Sequence, residues 1–368
     1  MATEQKIFNV GVIGYGMSAK IFHIPFITAT PAFKLHSILQ RSPKPESSAP
    51  ADYPELQHFQ SVEPFLTDAA LDVVVLSTTP ETHFALAKQA LEAGKHVFVE
   101  KPFVPSAAEA SALIDIAAAQ NRQICVYQNR RWDSDFQTVR KLLSSDALGR
   151  VYEFETHFDR YRADRPTTWK GELGMAQGGS ALYDLGTHLV DQVYTLFGMP
   201  TGVFAKLVDQ RAGRVLGPED PTVEPDGANM QLFYGSGLIV HVRIGVLSAE
   251  TRQPRFWIRG SKGSYHKDGL DTQEDQLKAG MKTSDSQFGR DSEEWHGRLV
   301  TVGDDEKMSE SVCPNVEPVT YKKIYELFGE ALRGNGVVPV PASEARDVLR
   351  ILEAAKESAM TRREVALP

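Results

Sequence analysis

Apolar residues fall into short runs along the first third of the chain, and these runs alternate with longer stretches of helical spacing. Residues 7–13 form a β-branched run that enters Gly14-Tyr15-Gly16-Met17-Ser18-Ala19, and an apolar helix-like stretch follows to Phe26. Further strands are predicted at 33–39, 71–76, 96–99 and 124–127. Helices are predicted from the Ala/Leu-rich segment ending at Gly94, a left-handed stop, and from 107–120. Strands alternating with helices predict an α/β fold whose first domain is a doubly wound parallel sheet. From Val151 the period changes to two, as in a half-buried antiparallel strand, and similar stretches recur at 202–207, 228–234, 238–244 and 254–258. A second, sheet-based domain is therefore expected. The division reads as a dinucleotide-binding domain at 1–127 and a substrate-binding and oligomerisation domain at 128–368.

Length agrees with two domains, since 368 residues exceed a single core at about 150 residues per domain. Lys and Arg number 40 against 48 Asp and Glu, a net charge of −8 with no clustered basic stripe, which argues against nucleic acid as a ligand. Cys125 and Cys313 form no paired motif, so both read as buried small apolar residues in a reducing compartment. No run approaches the roughly 20 apolar residues of a membrane span. Residues 1–6 lack the pattern of a secretory leader, and the closing Val365-Ala366-Leu367-Pro368 is no anchoring signal. A soluble cytoplasmic protein is expected.

The glycine turn fits the G-x-G-x-x-G/A form: Gly14 permits the tight turn, Gly16 lets a pyrophosphate approach the backbone, and Ala19 packs helix on strand. The amides of the following helix would face the phosphates. Polar residues close three successive strands, at Ser77-Thr78-Thr79, Glu100-Lys101-Pro102 and Gln128-Asn129-Arg130, which points to one crevice. The second strand ends in Gln40-Arg41-Ser42, with no carboxylate before Glu46. An Arg beside a Ser suits a 2′-phosphate, which a carboxylate would repel, so NADP(H) is favoured over NAD.

In the second domain Trp169 and the loop Gln177-Gly178-Gly179-Ser180 precede Asp184, His188 and Asp191, spaced to share one helix face. On spacing alone they read either as an acid–base pair or as a satisfied structural pair. A metal reading fails for want of further ligands. Lys101 is either a surface cation or the group that steadies a reacting oxygen.

Together these motifs resemble the glucose-fructose oxidoreductase, inositol dehydrogenase and MocA family of sugar and polyol oxidoreductases. The matching residues are Gly14-Tyr15-Gly16, Ser77-Thr78-Thr79-Pro80 with Thr82-His83, Glu100-Lys101-Pro102, and Gly178-Gly179 followed by Tyr183-Asp184, Gly186, His188 and Asp191. The late Pro339-Val340-Pro341-Ala342 is similar to the family's closing segment. Stretches at 15–24, 129–136 and 157–161 further resemble its NADP-preferring scyllo-inositol dehydrogenase-like branch.

The resemblance implies an N-terminal Rossmann domain and a C-terminal α/β domain with an open, mainly antiparallel sheet that builds a homodimer or homotetramer. It implies that Lys101 contacts the reacting hydroxyl, that His188 exchanges its proton, and that Asp184 positions substrate or tunes His188. Cofactor contacts are expected from Gly14, Tyr15, Gly16 and Met17, from Gln40, Arg41 and Ser42, and from Ser77, Thr78, Thr79, Pro80 and His83. Glu100, Lys101, Asn129 and Trp169 complete that set. Tyr161 and Trp169 join Lys101, Asp184 and His188 on the substrate side, with Arg162 and Arg165 as further pocket candidates. No metal is required.

The expected activity is NADP-dependent hydride transfer at a secondary alcohol of a sugar, inositol or related polyol. The alternatives are a catalytically silent NADP-binding regulator on the same fold, or a dihydrodiol or anhydro-sugar oxidoreductase. The polar segment 265–310 is expected to be a solvated loop with short strands. Closing helices are expected at about 321–333 and 343–361, packing back on the first domain.

Overall fold

Six short strands rich in Val, Ile, Leu and Phe build the first sheet: β1 (Phe8–Ile13), β2 (Phe33–Leu39), β3 (Gln57–Phe59), β4 (Val73–Leu76), β5 (His96–Val99) and β6 (Ile124–Val126). All neighbours are parallel, in the order β3-β2-β1-β4-β5-β6. Every residue of β4 is buried, as a strand covered on both faces requires. The computed structural model describes residues 5–368; residues 1–4, on which the leader reading partly rests, lie outside the described residues. The chain divides into two compact units, Met1–Asn129 with Glu274–Phe288 and Val319–Arg346, and Arg130–Gln273 with Gly289–Pro318 and Asp347–Pro368.

Local chemistry sets the first unit's crossovers. Pro80 opens the helix Pro80–Glu92, where its missing amide costs nothing, and the Ser106 hydroxyl accepts from Glu109 N at 3.2 Å to cap Ala107–Ala119. After the glycine turn the chain forms a π-helix over Ala19–His23, and Ile24 N reaches back five residues to Ala19 O. Pro25 supplies the reason: it has no amide for an ordinary helical bond to Ile21. The helix Lys322–Leu332 adds Tyr325 and Phe328 to an aromatic cluster around Phe98, with the Phe98 and Tyr325 rings 4.8 Å apart. Truncating such a ring to alanine costs about 3–5 kcal/mol. Val340 O accepts from Val126 N at 3.1 Å, so residues 339–341 cover the β6 edge.

The second unit carries a larger sheet of β7 (Val151–Asp159), β8 (Gly202–Asp209), β9 (Arg214–Val215), β10 (Gly227–Phe233), β11 (Ile239–Gly245) and β12 (Pro254–Gly260). It continues through β13 (Gly263–Asp268), β14 (Gly297–Val302), β15 (Met308–Cys313) and β16 (Val365–Ala366). The order is β15-β14-β13-β12-β7-β11-β10-β8-β16, with β9 beside β8. The sheet is mainly antiparallel, but β7, read from its period as an antiparallel strand, runs parallel to β11 and antiparallel to β12. Alternation reports which side chains are buried and is silent on a neighbour's direction. Phe154, Thr156 and Phe158 of β7 turn inward, and Phe154 meets Phe197 of the helix Gly186–Phe197 at 5.3 Å.

The segment 265–310 holds short strands, β14, most of β13 and the start of β15, between turns and loops that are largely exposed, as expected, although its Asp271 is only 3% exposed. One further expectation is corrected: Cys313 is half-buried at the end of an edge strand, while Cys125 is fully buried. Several ionic groups are buried in this unit and satisfied at long range. Arg255 reaches Asp135 at 3.1 Å, Thr156 Oγ1 at 2.8 Å and Gln192 Oε1 at 2.6 Å. Lys267 pairs with Asp291 at 3.0 Å. Pairing of this kind is what makes a buried charge tolerable.

Candidate active site

Gly14 leaves β1 with φ +99°, and a Cβ there would stand 2.2 Å from Ser77 O, so only glycine lets β1 turn beside the end of β4. A Cβ on Gly16 would meet nothing within 4 Å, which leaves the turn an open cradle. Ser77 Oγ is buried there without a hydrogen-bond partner among the described residues. An open glycine turn beside an orphaned hydroxyl at the ends of parallel strands fits a dinucleotide. Tyr15 is buried and donates to Asp52 at 2.6 Å, while Met17 is exposed. Lys20 lies 3.7 Å from Asp52 and over the Tyr15 ring, so Asp52 is a compensated charge.

At the end of β2 the Gln40 side chain is spent on its own loop, donating to Ser47 O and accepting from Ala49 N, both at 2.8 Å. Arg41 and Ser42 are left exposed. Thr78 accepts from Thr82 at 2.7 Å, and Pro80 begins the helix above them. His83 is fully buried, with Nδ1 facing Pro102 O and Phe103 O and Nε2 facing Thr78 O. Its ring braces the two strand ends through their carbonyls.

Glu100 and Lys101 follow β5 on the same sheet edge. Glu100 is buried, and its Oε2 accepts the Lys101 amide at 3.0 Å. Its Oε1 accepts from Ser18 and from His23 Nε2, the latter at 3.0 Å. Burial alone would raise the carboxyl, but His23, Ser18 and Lys101 outweigh it and hold it down to about 2. His23 Nδ1 lies 2.6 Å from the Tyr325 hydroxyl. Asn129, 8% exposed, lies in this unit after β6.

The second unit holds Asp184, His188 and Trp169. Asp184 ends the helix Ser180–Asp184 and accepts from Lys170 Nζ at 2.9 and 3.0 Å. His188 lies in the first turn of Gly186–Phe197, and the break at Leu185 separates the helices that the sequence reads as one face. The His188 ring is 6% exposed and stacks on Phe158 at 6.4 Å. Asp191, grouped with them by spacing, belongs to a buried bidentate pair with Arg131 at 2.8 and 2.7 Å. Trp169 is half-buried and Tyr161 is 62% exposed. Elsewhere among the described residues Glu153, Glu155 and His241 gather within 4.8 Å, but Arg259 and His157 already share those carboxylates.

Sequence reasoning missed His23, Tyr325, Lys170 and Ser180. Only Lys170, next to Trp169, had a signal close at hand.

Residues 8–128 match the profile described as the oxidoreductase family, NAD-binding Rossmann fold, and residues 140–367 match its C-terminal alpha/beta domain. The chain belongs to the Gfo/Idh/MocA oxidoreductase family. A Gfo/Idh/MocA relative, the oxidoreductase YdgJ of Escherichia coli, is 38% identical over 360 residues, spanning 98% of each chain. The scyllo-inositol 2-dehydrogenase (NADP(+)) IolW of Bacillus subtilis is 33% identical over 359 residues, covering 98% of this chain and 96% of that one. Among solved structures, the oxidoreductase yvaA of Bacillus subtilis superposes with a TM-score of 0.90 at 32% identity over 99% of both chains. The Gfo/Idh/MocA assignment makes the chain an oxidoreductase with a nicotinamide-nucleotide domain. No helix among the described residues is long and apolar enough to cross a membrane.

Proposed function

We propose that the chain is an NADP-dependent dehydrogenase or reductase acting at a secondary alcohol or carbonyl of a sugar, inositol or related polyol. The observation that carries this reading is that the open Gly14–Gly16 turn and Lys101 lie on one edge of one parallel sheet, with the Lys101 backbone tied to a buried carboxylate. Arg41 and Ser42, exposed where NAD binders place a carboxylate, support NADP. So does the NADP(+) specificity of the Bacillus relative.

Gly14, Gly16 and Ser77 would hold the dinucleotide, with Arg41 and Ser42 on its 2′-phosphate. When bound, the nicotinamide supplies the hydride acceptor or donor. Lys101 Nζ steadies negative charge on the substrate oxygen, a role worth about a hundredfold or more in rate. His188 accepts the hydroxyl proton in oxidation and returns it in reduction. Asp184 orients a substrate hydroxyl. The two free cysteines suit a reducing, cytoplasmic setting. The cofactor domain is assigned to 1–127 and the substrate and assembly domain to 128–368, with a homodimer or homotetramer built on the open sheet, where Tyr152, Ile239 and Trp257 are exposed.

Lys101→Ala tests the central role. Turnover should fall by about a hundredfold or more while NADPH binding, read by fluorescence titration, stays within a few-fold. Undiminished turnover overturns the assignment.

A further inference from the structure

After β7 the chain continues as an ordered extension. Arg160 N donates to Gly245 O at 2.9 Å, Arg162 N to Val246 O at 2.7 Å, and Ser248 N to Arg160 O at 3.0 Å. Arg211 clamps the far edge, donating to Arg162 O at 2.6 and 3.1 Å and to Ala163 O at 3.0 Å. Tyr161 bridges Leu247 beyond the end of β7, so residues 160–163 are held by these backbone bonds. Arg160 and Arg162 line a cavity of about 730 Å³, open mouth included, whose wall also holds Ser180 and Asp184. The Arg160 guanidinium lies 4.6 Å over the Phe158 ring, on which His188 also stacks.

Most charge around this cavity is already matched. Arg211 pairs with Asp226 at 2.7 Å, Arg165 with Asp209, and Lys170 with Asp184, while Glu224 accepts from Met175 N at 2.8 Å. Glu172 is exposed at the rim. The Arg162 side chain has neither ion pair nor hydrogen bond among the described residues. Ser180 adds an independent sign: it is a non-glycine residue at φ +70°, and its Oγ is buried without a partner among the described residues. A left-handed serine and an unmet buried hydroxyl are both costly, and such costs collect at binding sites.

We propose that this pocket takes a sugar or polyol bearing an anionic group, a carboxylate or a phosphate, held by Arg160, Arg162 and the Ser180 hydroxyl while Asp184 receives a neutral hydroxyl. The inference rests on the activity proposed above and names its substrate class. A chain of net charge −8 repels anions at long range, so a local pair of guanidinium groups is what such a substrate requires. Guanidinium also gives an oxyanion paired, directed hydrogen bonds.

The test titrates the full-length, NADPH-loaded protein with gluconate, glucose 6-phosphate and glucose by calorimetry, and follows nicotinamide turnover with the same three. At least one anion should bind about tenfold or more tightly than glucose, the better anion separating carboxylate from phosphate. Arg162→Gln and Arg160→Gln should each erase most of that ratio, and added salt should shrink it. Equal or tighter binding of glucose, no binding of either anion, or a ratio untouched by both substitutions overturns the proposal. Turnover of neutral polyols without anion preference sinks this inference alone. Anion binding with no turnover of any sugar or polyol sinks the proposed activity and leaves the site standing.

Discussion

His23 Nε2 lies 3.0 Å from Glu100 Oε1, and the same carboxylate accepts the Lys101 amide through its other oxygen. An ionised carboxylate only accepts, so Nε2 carries a proton and Nδ1 is left to meet the Tyr325 hydroxyl at 2.6 Å. On the role proposed for Lys101, the chain of contacts from Tyr325 to the Lys101 amide would make His23 a positioning residue.

His23→Phe keeps the ring and removes the bond. Turnover should fall by about ten- to a hundredfold with NADPH affinity nearly unchanged, because a small misplacement near the reacting atoms is enough. Glu100, no longer held down by His23, should protonate at higher pH, so the acid limb of the turnover profile moves up. His23→Gln, which restores a donor, should recover part of both effects. A variant that melts earlier but keeps its pH profile would make the contact structural only.

Gly14 and Gly16 should separate folding from binding. Gly14→Ala places a methyl 2.2 Å from Ser77 O at φ +99° and should lower the melting temperature. Gly16→Ala meets no protein atom within 4 Å, so it should melt as the parent does while losing affinity for NADPH. Unchanged NADPH binding in Gly16→Ala would remove the pyrophosphate from this turn.

Arg41→Ala should lower kcat/KM for NADP by about ten- to a hundredfold and leave NAD within a few-fold, since only the 2′-phosphate uses the guanidinium. Equal losses with both cofactors would show that Arg41 does not read the phosphate.

Asp133 and Asp271 should make stability fall as pH rises. Burial and neighbouring carboxylates push both up, despite Arg130 and Arg255 near Asp133. Asp271 accepts from Ser134 N at 2.7 Å, Gln273 N at 3.0 Å and Gln273 Nε2 at 3.1 Å, so the retained proton belongs on Asp133. A folded acid whose pKa is raised binds more protons than the unfolded chain as pH rises above about 4, and stability drops there by up to about 1.4 kcal/mol per unit for one proton. Urea unfolding from pH 5 to 8 should show that slope in the parent and a shallower one in Asp133→Asn. Parallel slopes would place the proton elsewhere.

Five of the first sheet's six strands were legible because each is an apolar run closed by polar residues, while the short β3, Gln57-His58-Phe59, carries no such run; the second sheet was legible at strands such as β7, where Phe154, Thr156 and Phe158 alternate with polar neighbours. What escaped depends on distance along the chain. His23 meets Tyr325 across 302 residues, and Asp271 meets Ser134 across 137. Nothing in a local pattern reveals that a charged residue will find its partner so far away. Ser180 escaped for another reason: its left-handed backbone follows two glycines that already explain a turn.

The most direct measurement of the proposed activity is nicotinamide absorbance during incubation of the purified protein with NADP or NAD and a panel of inositols, neutral sugars, sugar acids and sugar phosphates. The account predicts turnover of at least one polyol with NADP, weaker turnover with NAD, and loss of both in Lys101→Ala. Tight NADPH binding with no turnover across the panel would contradict it and favour a silent cofactor-sensing protein on the same fold.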